Sequence, residues 1–168
     1  ACMQNRRWID EGGEPVKIAV NIAPSMYRQD LVHIIRQALE RADLPAHYLT
    51  VEVTEDTTIK MLDESSDLLP KLQRMGVTIA LDDFGTGLSS LSHLKELPIQ
   101  VLKIDRSFVK DLASPDYCSK LIGGIIQLGH TLKMQVVAEG IEDEAIRQVL
   151  LQYGCDFGQG YHYSRPVV

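Results

Sequence analysis

The chain has few cysteines, no surplus of positive charge and no long hydrophobic run. Its three cysteines, Cys2, Cys118 and Cys155, are far apart, odd in number and contain no CxxC pair. That pattern excludes a disulfide framework or zinc ribbon and points to a reducing, cytoplasmic compartment. The longest apolar stretch, "LIGGIIQLG" from Leu121, is too short to span a bilayer, and the polar "ACMQNRRWIDEGGEP" shows no secretory signal. No membrane contact is therefore expected from this segment. A formal net charge of −6 argues against a binder that tracks nucleic-acid phosphates, so neither DNA nor RNA is an expected partner. A phosphate ligand would need metal ions as intermediaries. The five histidines, His33, His47, His93, His130 and His162, lack an HxxxH spacing and read as non-functional. The "GTG" at 85–87 lacks the GxGxxG or GxxxxGK pattern of a phosphate loop and reads as turn chemistry.

What is present is ordinary for a globular protein: 168 residues, 45% hydrophobic and 24% charged, enough for one domain with a stable core. The chain opens on Ala1 rather than Met, which suggests a piece of a longer protein. One pattern recurs along it. A short β-branched run precedes a polar turn and then a helical segment. The strands are expected in "VKIAVNIAP" (from Val16), "YLTVEVTE" (Tyr48), "VTIALDD" (Val77), "QVLKID" (Gln100), "MQVVAEG" (Met134) and, weakly, "CDFGQGY" (Cys155). Between them lie amphipathic segments. One of these, Gln29 to Leu44, has 3–4 apolar spacing. Another is interrupted by Pro70 and stopped by Gly76. A third is capped by Ser114 with Pro115 in its first turn, and the last is followed by Gly154. Strands alternating with helices predict an α/β fold with a parallel sheet buried on both faces.

The polar residues collect at the ends of these strands: Asn21 on the first, Glu52 and Glu55 on the second, Asp82 and Asp83 on the third. Lys103 and Asp105 end the fourth, Glu139 the fifth, and Gln159 the sixth. Parallel α/β folds, barrels above all, build their sites at this rim. One amide and three carboxylates, Asn21, Glu52, Asp82 and Asp83, are hard oxygen donors that suit Mg²⁺ or Mn²⁺. Adjacent acids on a strand point to opposite faces, so a bend, assigned here to Gly85 and Gly87, is needed to bring both to the rim. The pair would then serve a two-metal site for in-line attack on a phosphodiester, with Lys103 orienting or deprotonating water and offsetting charge on phosphorus. Taken singly, Asp83 reads equally as a turn former, Lys103 as a surface lysine, and Glu142, Asp143 and Glu144 as partners of a helix dipole.

The motifs "VNIAP", "VEVTE", "LDDFGTGLSSL", "LKIDRSFV", "VVAEGIE" and "GCDFGQGYHYSRP" occur in the order they take in the EAL domain, and the chain resembles that bacterial cyclic di-GMP phosphodiesterase family over essentially its whole length. The resemblance implies a (β/α)₈, TIM-like barrel with one early strand antiparallel, and hydrolysis of cyclic di-GMP to linear pGpG. It implies Asn21, Glu52, Asp82 and Asp83 as metal ligands. Lys103 would hold the catalytic water, Glu139 would be a candidate base, and Glu55 would tie down a neighbouring loop. Asp105, Glu142 and Gln159 fall at ligand-side positions. The namesake Glu-Ala-Leu and its following Arg are absent. A barrel of this kind needs ~250 residues, or at least about 200. The expectation is therefore an incomplete barrel of six β/α units, residues 1–168 being the C-terminal two-thirds of the domain, with weak or no activity by itself. Open sheet edges would favour a homodimer. The alternative is a non-catalytic cyclic di-GMP receptor or protein-interaction module. The parent protein could be membrane-tethered through another segment.

Overall fold

In the computed structural model, residues 1–23, 26, 30–55, 57–58, 67–86, 91–110, 112 and 117–166 are described, with the backbone alone for 91–93 and 117–118. Six strands form where the β-branched runs predict them: β1 (Ile18–Asn21), β2 (Leu49–Thr54), β3 (Thr78–Phe84), β4 (Val101–Ile104), β5 (Gln135–Glu139) and β6 (Phe157–Gln159). The described helices are α1 (Cys2–Asp10), α2 (Asp30–Ala42), α3 (Leu68–Arg74), α4 (Leu91–Glu96), α5 (Arg106–Lys110), α6 (Tyr117–Thr131) and α7 (Glu144–Gln152). The expected cap at Ser114 and Pro115, the bend at Gly87, and part of the segment before α3 lie outside the described residues. Pro70 does not interrupt a helix. It sits in the first turn of α3, where a missing N–H costs nothing.

The strands lie in one sheet in sequence order, and every neighbouring pair is parallel. The order never reverses, so there is no switch point of the doubly wound kind. With right-handed crossovers, all the helices then pack on one face and the sheet curls as a half-barrel, so none of the six is the antiparallel strand the family resemblance implies. Val51, Val53, Ile79, Leu81, Leu102, Ile104, Val136 and Ala138 meet the helices on the outer face and are essentially fully buried. Leu31, Ile35, Leu39 and Ala42 form the matching stripe of α2. Each such aliphatic side chain contributes roughly 1.5–3 kcal/mol of burial.

Burial on both faces, the sequence expectation, holds only in the middle of the sheet. Strands β2, β3 and β4 are mostly buried, whereas β1 alternates half-buried with exposed residues and β6 is exposed throughout. The inner face is open because β1 is bonded only to β2, and β6 only to β5, among the described residues, and it carries Ala19, Ala80, Val101 and Val137 beside Glu52 and Lys103.

An interaction invisible to periodicity fixes the approach to β1. Asn5 on α1 is wholly buried. Its Nδ2 donates to Val16 O at 2.7 Å, and its Oδ1 accepts from Val16 N at 3.4 Å. The amide thus stands in for a strand neighbour just before β1. Asn5→Ala should lower unfolding free energy by about 1–3 kcal/mol, because the Val16 carbonyl and amide lose their buried partner. Urea denaturation followed by circular dichroism measures this, and a loss under about 0.5 kcal/mol, the size of surface substitutions, would show that the anchor is incidental.

Candidate active site

The register of the sheet carries the polar residues to one place. Asn21 pairs with Glu52, Asp82 with Thr54, Lys103 with Val137, and Glu139 with Gln159. Because side chains alternate along a strand, Glu52, Asp82, Lys103, Glu139 and Gln159 project to the same inner face. Their outer-face neighbours Val51, Leu81, Leu102 and Ala138 are held by the core, which locks that choice of face.

At the centre is the Lys103 ammonium. Its Nζ lies 2.9 Å from Glu52 Oε1, 2.8 Å from Asp82 Oδ1 and 2.7 Å from Glu139 Oε1, and the side chain is only 7% exposed. Burial alone would favour neutral lysine, but the bonds to Asp82, Glu139 and Glu52 outweigh it and raise its pKa above the ordinary value. Lys103 is therefore a charged donor. Of the two roles expected of Lys103, orienting water and helping to deprotonate it, the three acids around it favour the first. Glu139 moves the opposite way from an ordinary ion-paired acid: burial, then repulsion from Asp82 and Glu52, raises its pKa despite the lysine.

Asp83 reaches the same rim through a break in the ladder. Leu81 pairs with Leu102 but Phe84 with Ile104, so β3 carries one residue more than β4 across this interval. The extra residue is absorbed at Asp83, whose φ is +55°. The bend begins at the second aspartate itself, inside the strand, and Gly85 continues it with φ +99°. As a result Asp82, Asp83 and Glu139 each offer a carboxylate oxygen within 4.8 Å of the others. Burial, then repulsion from Asp82 and Asp105, raises the Asp83 pKa. Asp82 Oδ1 is buried, and its one described partner is the Lys103 ammonium at 2.8 Å, which it shares with Glu52 and Glu139. A hard-oxygen cluster whose buried carboxylates share a single ammonium fits a divalent cation.

The remaining predicted residues surround this knot. Asn21 is exposed on β1, in register with Glu52. Glu55 is buried beneath the rim, where its Oε2 accepts from Gly85 N at 3.2 Å and its carbonyl from Thr58 Oγ1 at 2.7 Å. Asp105 accepts at Oδ1 from Ser107 N at 2.9 Å and from the Ser107 hydroxyl. Burial opposes its charge, but these bonds and Arg106 win, and its pKa falls below the usual aspartate range. Glu142 is exposed, 3.8 Å from Lys110 Nζ. Asp143, as the dipole reading expected, caps α7 by accepting from Ile146 N at 2.9 Å. With Glu139 and Gln159, Glu142 lines a cleft of about 220 Å³ that Arg106 and Tyr161 also bound. Sequence reasoning missed those last two. The only signal was their adjacency to Asp105 and Gln159.

Comparison with known proteins is consistent. The sequence model of the EAL domain matches residues 1–166. The signaling protein YkoW of Bacillus subtilis is 44% identical over 99% of this chain, which spans 21% of that protein. The bifunctional diguanylate cyclase/cyclic di-GMP phosphodiesterase MucR of Pseudomonas aeruginosa is 43% identical over 99% of the chain, which spans 24% of it. The solved structure of the PaMucR phosphodiesterase in its c-di-GMP complex superposes with a TM-score of 0.92 at 43% identity, covering 99% of this chain and 68% of that one. The chain thus spans under a quarter of the length of these curated relatives. No helix among the described residues is long and apolar enough to cross a membrane.

Lys103→Met should expose the charge balance of the site. Two buried carboxylates and the half-buried Glu139 would lose their common partner, at a cost of about 3–5 kcal/mol at neutral pH in a chelator. Because the folded lysine pKa is raised, the wild-type contribution is complete below the ordinary lysine pKa and fades only in strong alkali. The deficit of the variant should shrink as pH falls through the carboxylate range, since protonation removes the unpaired charges. Added Mn²⁺ should recover part of it. Equilibrium unfolding between about pH 4 and 8 tests this, and a deficit that grows toward acid would refute the assignment.

Proposed function

The chain belongs to the EAL domain family, and we propose that it forms the C-terminal two-thirds of a metal-dependent phosphodiesterase domain that opens cyclic di-GMP to linear pGpG. The observation that carries this reading is the Lys103 ammonium held by Glu52, Asp82 and Glu139, with Asp83 brought alongside. Coverage of about two-thirds of the solved PaMucR chain supports the assignment of extent. In this proposal Asn21, Glu52, Asp82 and Asp83 hold Mg²⁺ or Mn²⁺, as two ions. Bound there, the metal would lower the pKa of an attacking water and neutralise charge on the phosphoryl oxygens.

The chain's own residues supply the rest. Lys103, kept charged by its three acids, faces the charge that builds on phosphorus, and an N–H released when metal takes Glu52 or Asp82 would turn to the attacking water. Glu139, with its raised pKa, is the better proton acceptor near neutrality, where an ordinary glutamate would be a weak base. Glu55 acts through the Gly85 amide, fixing the turn after Asp83. Glu142 and Gln159 face the adjoining cleft and meet the substrate, and Asp105 sets the start of α5 beneath it. The free thiols Cys2 and Cys155 are in keeping with a cytoplasmic reaction. Among the described residues the outer edges of β1 and β6 carry no strand partner, and in this chain by itself a homodimer would cover them.

The reading is tested by measuring pGpG formation with Mg²⁺ or Mn²⁺ for this chain and for its full-length gene product. Turnover is expected to be weak in the first and robust in the second. Lys103→Ala should reduce kcat about 10²–10⁴-fold with a much smaller change in binding, in line with loss of a transition-state contact. Tight binding without hydrolysis by the full-length protein would assign it instead as a receptor.

A further inference from the structure

The cluster is starved of positive charge, and its one buried cation is already committed to three acids. On the adjoining wall stands a second cation, Arg106, the first residue of α5. Asp83 and Asp105 lie near enough to feel its charge. Yet among the described residues no ion pair within 4.0 Å engages its guanidinium, which is exposed on the cleft. Lys110, one turn on, is already next to Glu142.

The backbone is shaped to keep this cleft open. Gly140 has φ +71°, and a Cβ there would come within 2.6 Å of Arg106 Cβ, so any larger residue would push Arg106 off the wall. On the opposite side, Ile141 is bracketed by backbone bonds, its N donating to Gln159 O at 3.0 Å and its O accepting from His162 N at 3.0 Å. Gly160 permits this bracket, since a Cβ would fall 2.1 Å from Ile141 O. The turn so formed presents Tyr161, 62% exposed, at the mouth of the cleft. Its one described ring contact is with Arg165, whose guanidinium carbon lies 5.5 Å from the ring centre.

A guanidinium fork, an exposed aromatic ring and hydrogen-bonding side chains at Glu142 and Gln159 are the complement of one purine nucleotide. We propose that Arg106 and Tyr161 form a nucleotide subsite beside the Lys103 cluster, the guanidinium engaging a phosphate that is not cleaved and the ring stacking on the base, so that these two residues set substrate affinity and not turnover. This rests on the function proposed above but needs only that the cleft binds a guanine dinucleotide.

The test uses equilibrium binding and steady-state kinetics on the full-length protein, with cyclic di-GMP and pGpG as probes. Arg106→Gln should weaken binding of both and raise KM about 10–100-fold, while kcat stays within about threefold. Arg106→Lys should fall between, keeping the charge without the fork. Tyr161→Ala should weaken binding about 5–100-fold and Tyr161→Phe should restore it, because stacking needs the ring and not the hydroxyl. Wild-type thermal midpoints in these exposed-site variants exclude misfolding. If Arg106→Gln leaves both KM and dissociation constant unchanged while the wild type turns over, the subsite is refuted and the phosphodiesterase reading stands. Should the wild type bind without turnover and Arg106→Gln weaken that binding, the subsite stands and the catalytic reading falls. Absence of any dinucleotide binding refutes both.

Discussion

The structure depends on one buried ammonium. Removing Lys103 and its partners from water costs several kcal/mol per ion, and a contact near 2.8 Å returns roughly 6 kcal/mol per pair at an effective dielectric of about 20. The three acids repel one another while they attract the lysine, so the attraction is only partly realised. One positive charge against three negative ones leaves the cluster two charges short of neutral, and Asp83 makes the deficit three. Such a site is stable enough to fold but electrostatically incomplete, which is the condition under which a divalent cation binds tightly and a neutral ligand does not.

That knot forms because a hydrophobic core dictates which way each strand faces. Val51, Leu81, Leu102 and Ala138 are buried against helices, and the residues next to them in sequence have no alternative but the inner face. A one-residue slip anywhere would bury the carboxylates among leucines, so the register is strongly enforced. The bulge at Asp83 is the one place where the alternation is deliberately broken. Without the additional residue, Asp83 would point to the helices. With it, two consecutive acids reach one rim. The left-handed backbone at a non-glycine residue costs of order 1–3 kcal/mol, and the surrounding ladder, with Glu55 accepting from the Gly85 amide, holds it there.

What was legible in the sequence follows from this. The strands, their order and the identity of the clustered side chains could be read, because β-branched runs and strand-end acids are local signals tied to burial. The bend was assigned to the glycines because glycine is the usual bearer of positive φ. Nothing local marks an aspartate that adopts it under tertiary pressure. Asn5, Arg106 and Tyr161 went unread for a related reason. Each acts on groups far away in sequence, Val16 for Asn5 and the β5–β6 cleft for the other two, and a single polar residue leaves no periodic trace. Pro70 misled in the opposite sense: its helix-breaking reputation applies to interiors, and the first turn of α3 is where it fits.

The division of labour between Lys103 and Glu139 also follows from charge and burial. Both sit in the same partly desolvated place, yet burial disfavours the charged form of each, and only the lysine has neighbours of opposite sign in excess. The excess of acids therefore acts in one direction on both groups. It binds a proton more tightly on the ammonium and on the carboxyl alike. The ammonium becomes too reluctant to act as a base, and the carboxyl becomes more willing to accept a proton. A cation entering the cluster would relieve the repulsion and lower the proton affinity of both. The acid cluster thus sets two functions through one field, fixing the lysine as a donor and tuning the glutamate as an acceptor whose strength depends on what the neighbouring carboxylates hold.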